Sequence, residues 1–96
     1  MMVPDRSSVI LTENRKQEEY MTRFRLIRTV DIFQEAEIYS VFLTTEGEST
    51  RAEDFVYDVA RDFLEAKRFF ERLCDVGACA WNLREYADDL LAALAV

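Results

Sequence analysis

Glu37-Ile38-Tyr39-Ser40-Val41-Phe42-Leu43-Thr44 is rich in β-branched and aromatic residues, the composition of a strand rather than a helix. Side chains alternate along a strand, so Tyr39, Val41 and Leu43 share one face while Ile38 and Phe42 share the other. Downstream, the polar run Thr45-Glu46-Gly47-Glu48-Ser49 leads into a second β-prone stretch through Phe55, Val56 and Tyr57, which predicts a hairpin turning near Gly47. Upstream, Tyr20, Thr22, Phe24 and Leu26 alternate with Arg23 and Arg25, the period-two pattern of a strand with one buried face. Three antiparallel strands are therefore expected over residues 19–29, 37–44 and 50–57.

Beyond the hairpin the period changes to helical. Asp62 followed by Glu65 forms a capping-box pattern, and Phe63, Ala66, Phe70, Leu73 and Cys74 fall on one stripe. This predicts a helix over 62–76 that stops at Gly77, a residue free to adopt a left-handed cap. Phe69 lies about 100° around the helix from Phe70 and broadens the apolar face beyond what one sheet needs to cover. Asn82 with Glu85 is a second capping-box pattern, opening a helix over 83–94 that turns Leu83, Tyr86, Ala87, Leu90, Leu91 and Leu94 inward. The predicted fold is α+β: a three-stranded antiparallel sheet followed by a two-helix antiparallel hairpin packed on one face. Residues 1–18, with Pro4, two serines and only the short apolar run Val9-Ile10-Leu11, are read as a tail or one edge strand, and 19–96 as a single domain.

Half the residues are hydrophobic, enough to fold, and no apolar run reaches the length of a membrane span or a signal-peptide core. The expected compartment is the cytoplasm. The net charge of -7 is unevenly spread: residues 1–28 carry six basic and four acidic groups, 31–58 one basic and eight acidic, and 59–96 five basic and seven acidic. An acidic middle repels phosphate backbones, which argues against direct nucleic-acid binding.

Asp58-Val59-Ala60-Arg61-Asp62, the helix after it and Ala80-Trp81-Asn82-Leu83-Arg84-Glu85-Tyr86-Ala87-Asp88-Asp89 resemble a family of short bacterial proteins catalogued as domain of unknown function 6514. The likeness runs from about Val9 to Leu94. Leu83 and Asp89 match the family's pattern, while Ala80 and Asn82 stand where it has a proline and a histidine. The resemblance implies a bacterial cytoplasmic protein and carries no activity across.

No constellation of reactive groups organises a reaction. The chain has no histidine to complete a zinc set with Cys74 and Cys79, or to serve as base in a serine or cysteine triad. The two cysteines are read as reduced thiols. Asp54, Asp58 and Asp62 recur every fourth residue, yet they fall on a strand, a connection and a helix cap. Arg23, Arg25 and Arg28 could hold a phosphate or carboxylate, but pairing across the sheet with Glu35, Glu37 or Glu53 is the expected arrangement. Trp81 with Phe69 and Phe70 could form an exposed anchor, although aromatics beside a helix start usually belong to the core.

Two helices cover only one sheet face, which leaves the face of Ile38 and Phe42 as an apolar patch or an interface. The candidate interaction residues are Ile38 and Phe42 with Glu46, Glu48, Glu53 and Asp54 of the acidic hairpin. The expected function is a non-enzymatic protein-binding adaptor or regulator, engaging a protein partner or a second copy of itself, with no cofactor, metal or small-molecule substrate. The alternative is a nucleic-acid-mimicking inhibitor, of the phage or anti-CRISPR type, occupying the basic groove of a DNA- or RNA-handling enzyme. Carboxylates gathered on one surface favour mimicry, and carboxylates interleaved with Arg23, Arg25 and Arg51 favour the adaptor.

Overall fold

The computed structural model describes residues 6–31 and 33–94. Its elements are β1 (Arg6–Gln17), β2 (Tyr20–Asp31), β3 (Ala36–Glu46), β4 (Arg51–Ala60), α1 (Phe63–Asp75) and α2 (Leu83–Leu94). The strands form one antiparallel meander in the order β1-β2-β3-β4. The sheet is thus four-stranded, which corrects the three-stranded sheet expected from the sequence.

The missing strand, β1, hides its periodicity for two physical reasons. Val9 pairs with Ile27 and Leu11 with Leu26, so Ile10 is an extra residue in a bulge and the alternation breaks inside the only apolar run. Past the bulge, Glu13 and Arg15 face the helix side opposite Phe24 and Thr22, but α1 packs over β2, β3 and β4 and α2 over β4. At this margin the two charged side chains stay half exposed and pair with each other at 3.3 Å. A strand with charges on its inward face carries no amphipathic signature.

Register places Thr22, Phe24 and Leu26 of β2 beside Thr45, Leu43 and Val41 of β3, and all six are buried under the helices. A second irregularity separates the Val41–Val56 pair from the Tyr39–Ala60 pair, and Asp58 there adopts φ 60° while its N–H donates to Ser40 Oγ at 3.3 Å. This detour brings Val59 and Ala60 into the buried set. The β3–β4 turn closes with Gly47 N–H donating to the Thr50 carbonyl at 2.7 Å. Glycine lets the Tyr20 ring pack against this turn, since a Cβ would come within 2.8 Å of the ring and force it to shift.

Asp62 caps α1 as its spacing predicts, accepting the Glu65 N–H at 3.0 Å. The helix ends at Gly77, whose φ of 69° lets its N–H reach the Cys74 carbonyl and the Ala78 N–H reach that of Leu73, the paired bonds of a Schellman motif. Phe69 is fully buried together with Ala66, Phe70, Leu73 and Cys74, because α2 lies against α1 and covers the widened face. Asn82 departs from its expected role: its Oδ1 turns back to accept the Cys79 N–H at 2.7 Å. Leu83 and Ala87 are buried in the core and Leu90 and Leu91 are half-buried against it, while the side chain of Leu94 lies outside the described residues.

The link between the helices is fastened to the sheet by polar contacts. Gln17 at the end of β1 donates to the Gly77 carbonyl at 2.7 Å and accepts from Thr22 Oγ1 at 3.2 Å and Cys79 Sγ at 3.1 Å. Deeper in, Thr45 Oγ1 lies 3.0 Å from Thr22 Oγ1 and accepts the Ala80 N–H at 2.9 Å.

Candidate functional site

The helices occupy the face of Phe24 and Leu43, so strand parity assigns the opposite, open face. Three rows of residues cross it. Lys16, Met21, Glu46 and Arg51 form one, Asn14, Arg23, Thr44 and Glu53 the next, and Thr12, Arg25, Phe42 and Phe55 the third. Beyond them Val9 stands opposite Ile27, and Thr29 opposite Ile38.

The candidate interaction residues divide among different environments. Ile38 and Phe42 lie on the open face by register, but β3 is an inner strand flanked on both sides, so Ile38 is buried at 9% exposure and Phe42 is half-buried. Phe42 sits under the Arg25 guanidinium, 5.6 Å from its ring centre. The large apolar side chains that remain open on this face are Val9, Met21 and Phe55, with Tyr57 exposed where β4 enters its bulge. Phe55 was within reach of the sequence, since alternation from Phe42 through the hairpin gives its parity; Val9 was hidden by the bulge beside it.

The acidic hairpin is not one surface. Glu46 and Glu53 flank Arg51 on the open face, at 3.6 Å from its Nε and 3.1 Å from its Nη2. Glu48 is exposed in the turn. Asp54 pairs with Leu43 in register and so points to the helix side, where its two oxygens accept from Arg84 Nε and Nη2 of α2 at 3.0 and 3.1 Å. That pair raises the Arg84 pKa further by hydrogen bonding and charge. Asp58 pairs with Arg61 and Asp62 caps α1, so the four-residue spacing of the three aspartates gathers no common site.

The three arginines of β2 also separate. Arg28 lies on the helix-side face and pairs with Glu37 at 2.7 Å, the kind of partner expected for it. Arg23 and Arg25 lie on the open face; the Nε of Arg23 donates to Asn14 Oδ1 at 3.3 Å, and neither pairs with a carboxylate among the described residues. The expectation that all three pair across the sheet is corrected here: parity puts Glu37 on the face of Arg28, while Glu53 shares the open face with Arg23 and Arg25 but stands across β3 from them and bonds Arg51 instead.

Trp81 is 52% exposed and meets the edge of Tyr20 at 4.9 Å, whereas Phe69 and Phe70 are buried, so the three aromatics do not form one anchor. Cys74 and Cys79 are free and buried. Burial pushes the Cys74 thiol up from its ordinary value of 9.0 to about 11. Thiol titration of the denatured, unreduced protein is therefore expected to count two thiols, whereas the native protein near pH 8 should leave Cys74 unlabelled. Between the unfolded value near 9.0 and the folded value near 11, the unfolded chain binds fewer protons, so stability should fall as pH rises through that window. Cys74→Ala should flatten that part of the alkaline decline, measured by urea unfolding.

Among the described residues, no group of three or more His, Cys, Asp or Glu side chains is placed to hold a metal ion, and no helix is long and apolar enough to cross a membrane. The chain matches no family model, no curated protein and no solved structure.

Proposed function

We propose that this protein is a small non-enzymatic adaptor or regulator that docks an acidic surface of a partner protein on its open sheet face. The observation that carries the reading is the placement of both helices over one face, which leaves Val9, Met21 and Phe55 exposed on the other at 53%, 46% and 49%. Charge selects the partner. The open face bears Lys16, Arg23, Arg25 and Arg51 against Glu46 and Glu53, a local excess of positive charge on a chain whose total is -7. The interleaving of Glu46 and Glu53 with Arg51, and the position of Asp54 on the other face, favour this reading over nucleic-acid mimicry. Two free thiols fit a reducing cytoplasm.

Phe42→Asp tests the docking face. The new carboxylate would lie beside Arg25 at a half-buried position, so the melting temperature should change little. Partner capture from the native host should be lost in this variant and in Arg25→Glu, and should weaken as salt rises in the wild type. A folded Phe42→Asp protein that captures the same partner equally well would defeat the proposal. Self-association abolished by Phe42→Asp, read by size-exclusion chromatography, would replace the acidic partner with a second copy.

A further inference from the structure

The row of Arg23 and Thr44 contains an anomaly that protein docking does not explain. Thr44 is 6% exposed, yet its hydroxyl has no hydrogen-bond partner. A buried hydroxyl without a partner is destabilising, and native structures rarely leave one uncompensated. The hydroxyl belongs to a residue lining a shallow pocket of about 140 Å³, whose other walls are Met21, Arg23, Arg25, Glu46 and Arg51. Three arginines and the residue with the unused hydroxyl thus line one pocket, Arg23 and Arg25 from β2, Thr44 from β3 and Arg51 from β4.

We infer that this pocket is an oxyanion site that takes a phosphoryl group, with Arg23 and Arg25 supplying the charge and Thr44 a hydrogen bond. The charge count favours a dianion. The residues that line the pocket carry three guanidinium charges, from Arg23, Arg25 and Arg51, against the one carboxylate of Glu46, an excess of two positive charges; Glu53 bonds Arg51 from outside the lining, and neither Arg23 nor Arg25 pairs with a carboxylate among the described residues. A phosphoryl monoester carries about -1.5 to -2 at neutral pH and presents three acceptor oxygens. The shape points the same way. A planar carboxylate satisfies one arginine fork, whereas two guanidinium groups and a hydroxyl on neighbouring strands offer donors for the three oxygens of a tetrahedral group. Glu46 is the one unfavourable wall, and its attraction to Arg51 draws its charge aside. The acidic total of the chain opposes a long polyanion but acts weakly on a small ion, because charges beyond about 8 Å are screened at physiological salt.

The inference does not rest on the docking proposal, since a small anion can enter the pocket whether or not a protein covers the face. Titrating the whole protein with inorganic phosphate, O-phosphoserine and acetate at fixed ionic strength, followed by backbone amide shifts, tests it. Both phosphoryl probes should bind saturably, with the largest shifts around Arg23, Arg25 and Thr44, and acetate should not. Tighter binding of O-phosphoserine than of phosphate would identify a phosphorylated side chain as the source; the reverse order would identify a free phosphate. Arg25→Gln and Thr44→Val should each weaken binding by about tenfold, the loss of one charge-assisted hydrogen bond. Glu46→Gln should tighten it. All three positions lie on the open face and Thr44→Val breaks no existing bond, so melting temperatures should confirm folded proteins. The absence of saturable phosphate binding, equal binding of acetate, or indifference to both Arg25→Gln and Thr44→Val would each overturn the site, while leaving the Phe42→Asp prediction standing.

Discussion

Phe69→Ala is expected to lower the stability of this domain by about 3–5 kcal/mol, the range for deleting a fully buried aromatic ring. Phe69 has no exposed surface and belongs to the same buried cluster as Leu73 of α1, Leu83 and Ala87 of α2, and Phe24 and Leu43 of the sheet. Its removal would open a cavity where the two helices and the sheet meet. A domain of this size has only about 5–15 kcal/mol in total, so the variant should be close to unfolding at room temperature. Leu64→Ala on the same helix is the control, because Leu64 is 70% exposed and its loss should cost no more than about 0.5 kcal/mol. Urea unfolding of both measures the contrast. If the Phe69 variant lost less than about 1 kcal/mol, the packing of α2 over α1 described here would be wrong.

Thr45→Val should be the second most damaging change, at about 1–3 kcal/mol, although it nearly conserves volume. The Thr45 hydroxyl oxygen accepts the Ala80 N–H at 2.9 Å in a buried position, and valine would strand that donor. Thr22 is less exposed to the same loss, because its hydroxyl can still donate to Gln17 Oε1 at 3.2 Å. Thr45→Ser keeps the oxygen and should recover most of the stability. Thr22→Val should cost less than Thr45→Val, and the double variant should cost less than the two added together, since they share one hydrogen bond. Equal melting temperatures for Thr45→Val and Thr45→Ser would show that the Ala80 contact contributes nothing.

Docking and anion binding draw on the same open face and share Met21 and the arginines, whereas the Thr44 hydroxyl serves anion binding alone. Of the exposed apolar side chains, Val9 on β1 and Phe55 on β4 lie on opposite edge strands in rows farther from the Gly47 turn, while Met21 lines the arginine pocket nearer that turn, in the rows of Glu46 and Thr44. Phe42 and Arg25 stand between the two edge strands, stacked on each other. Charge reversal at Arg25 should therefore disturb both activities, whereas Thr44→Val should disturb anion binding alone.

Local pattern by itself determined most of the elements. Period-two alternation marked β2, β-branched and aromatic composition marked β3, helical spacing marked α1 and α2, the Asp62–Glu65 spacing marked the start of α1, and Gly77 its end. Each of these signals acts within a few residues, through backbone geometry or a single hydrogen bond, and so can be read along the chain. Parity in β3 also divided Ile38 and Phe42 from Tyr39, Val41 and Leu43 before any partner strand was known.

Only the tertiary structure decided the rest, because bulges, register and coverage are properties of pairs of elements. The extra residue Ile10 broke the alternation of β1, so the sequence left residues 1–18 open between a tail and an edge strand and the sheet was counted with three strands. The position of α2 turned Phe69 from a surplus apolar residue into part of the core. Register set Asp54 on the helix side beside Arg84, and aligned Arg23 with Thr44 on the open side. The unused Thr44 hydroxyl has no signature in sequence at all: a threonine in a strand is unremarkable until its neighbours across two strand pairings bury it and offer its oxygen no partner.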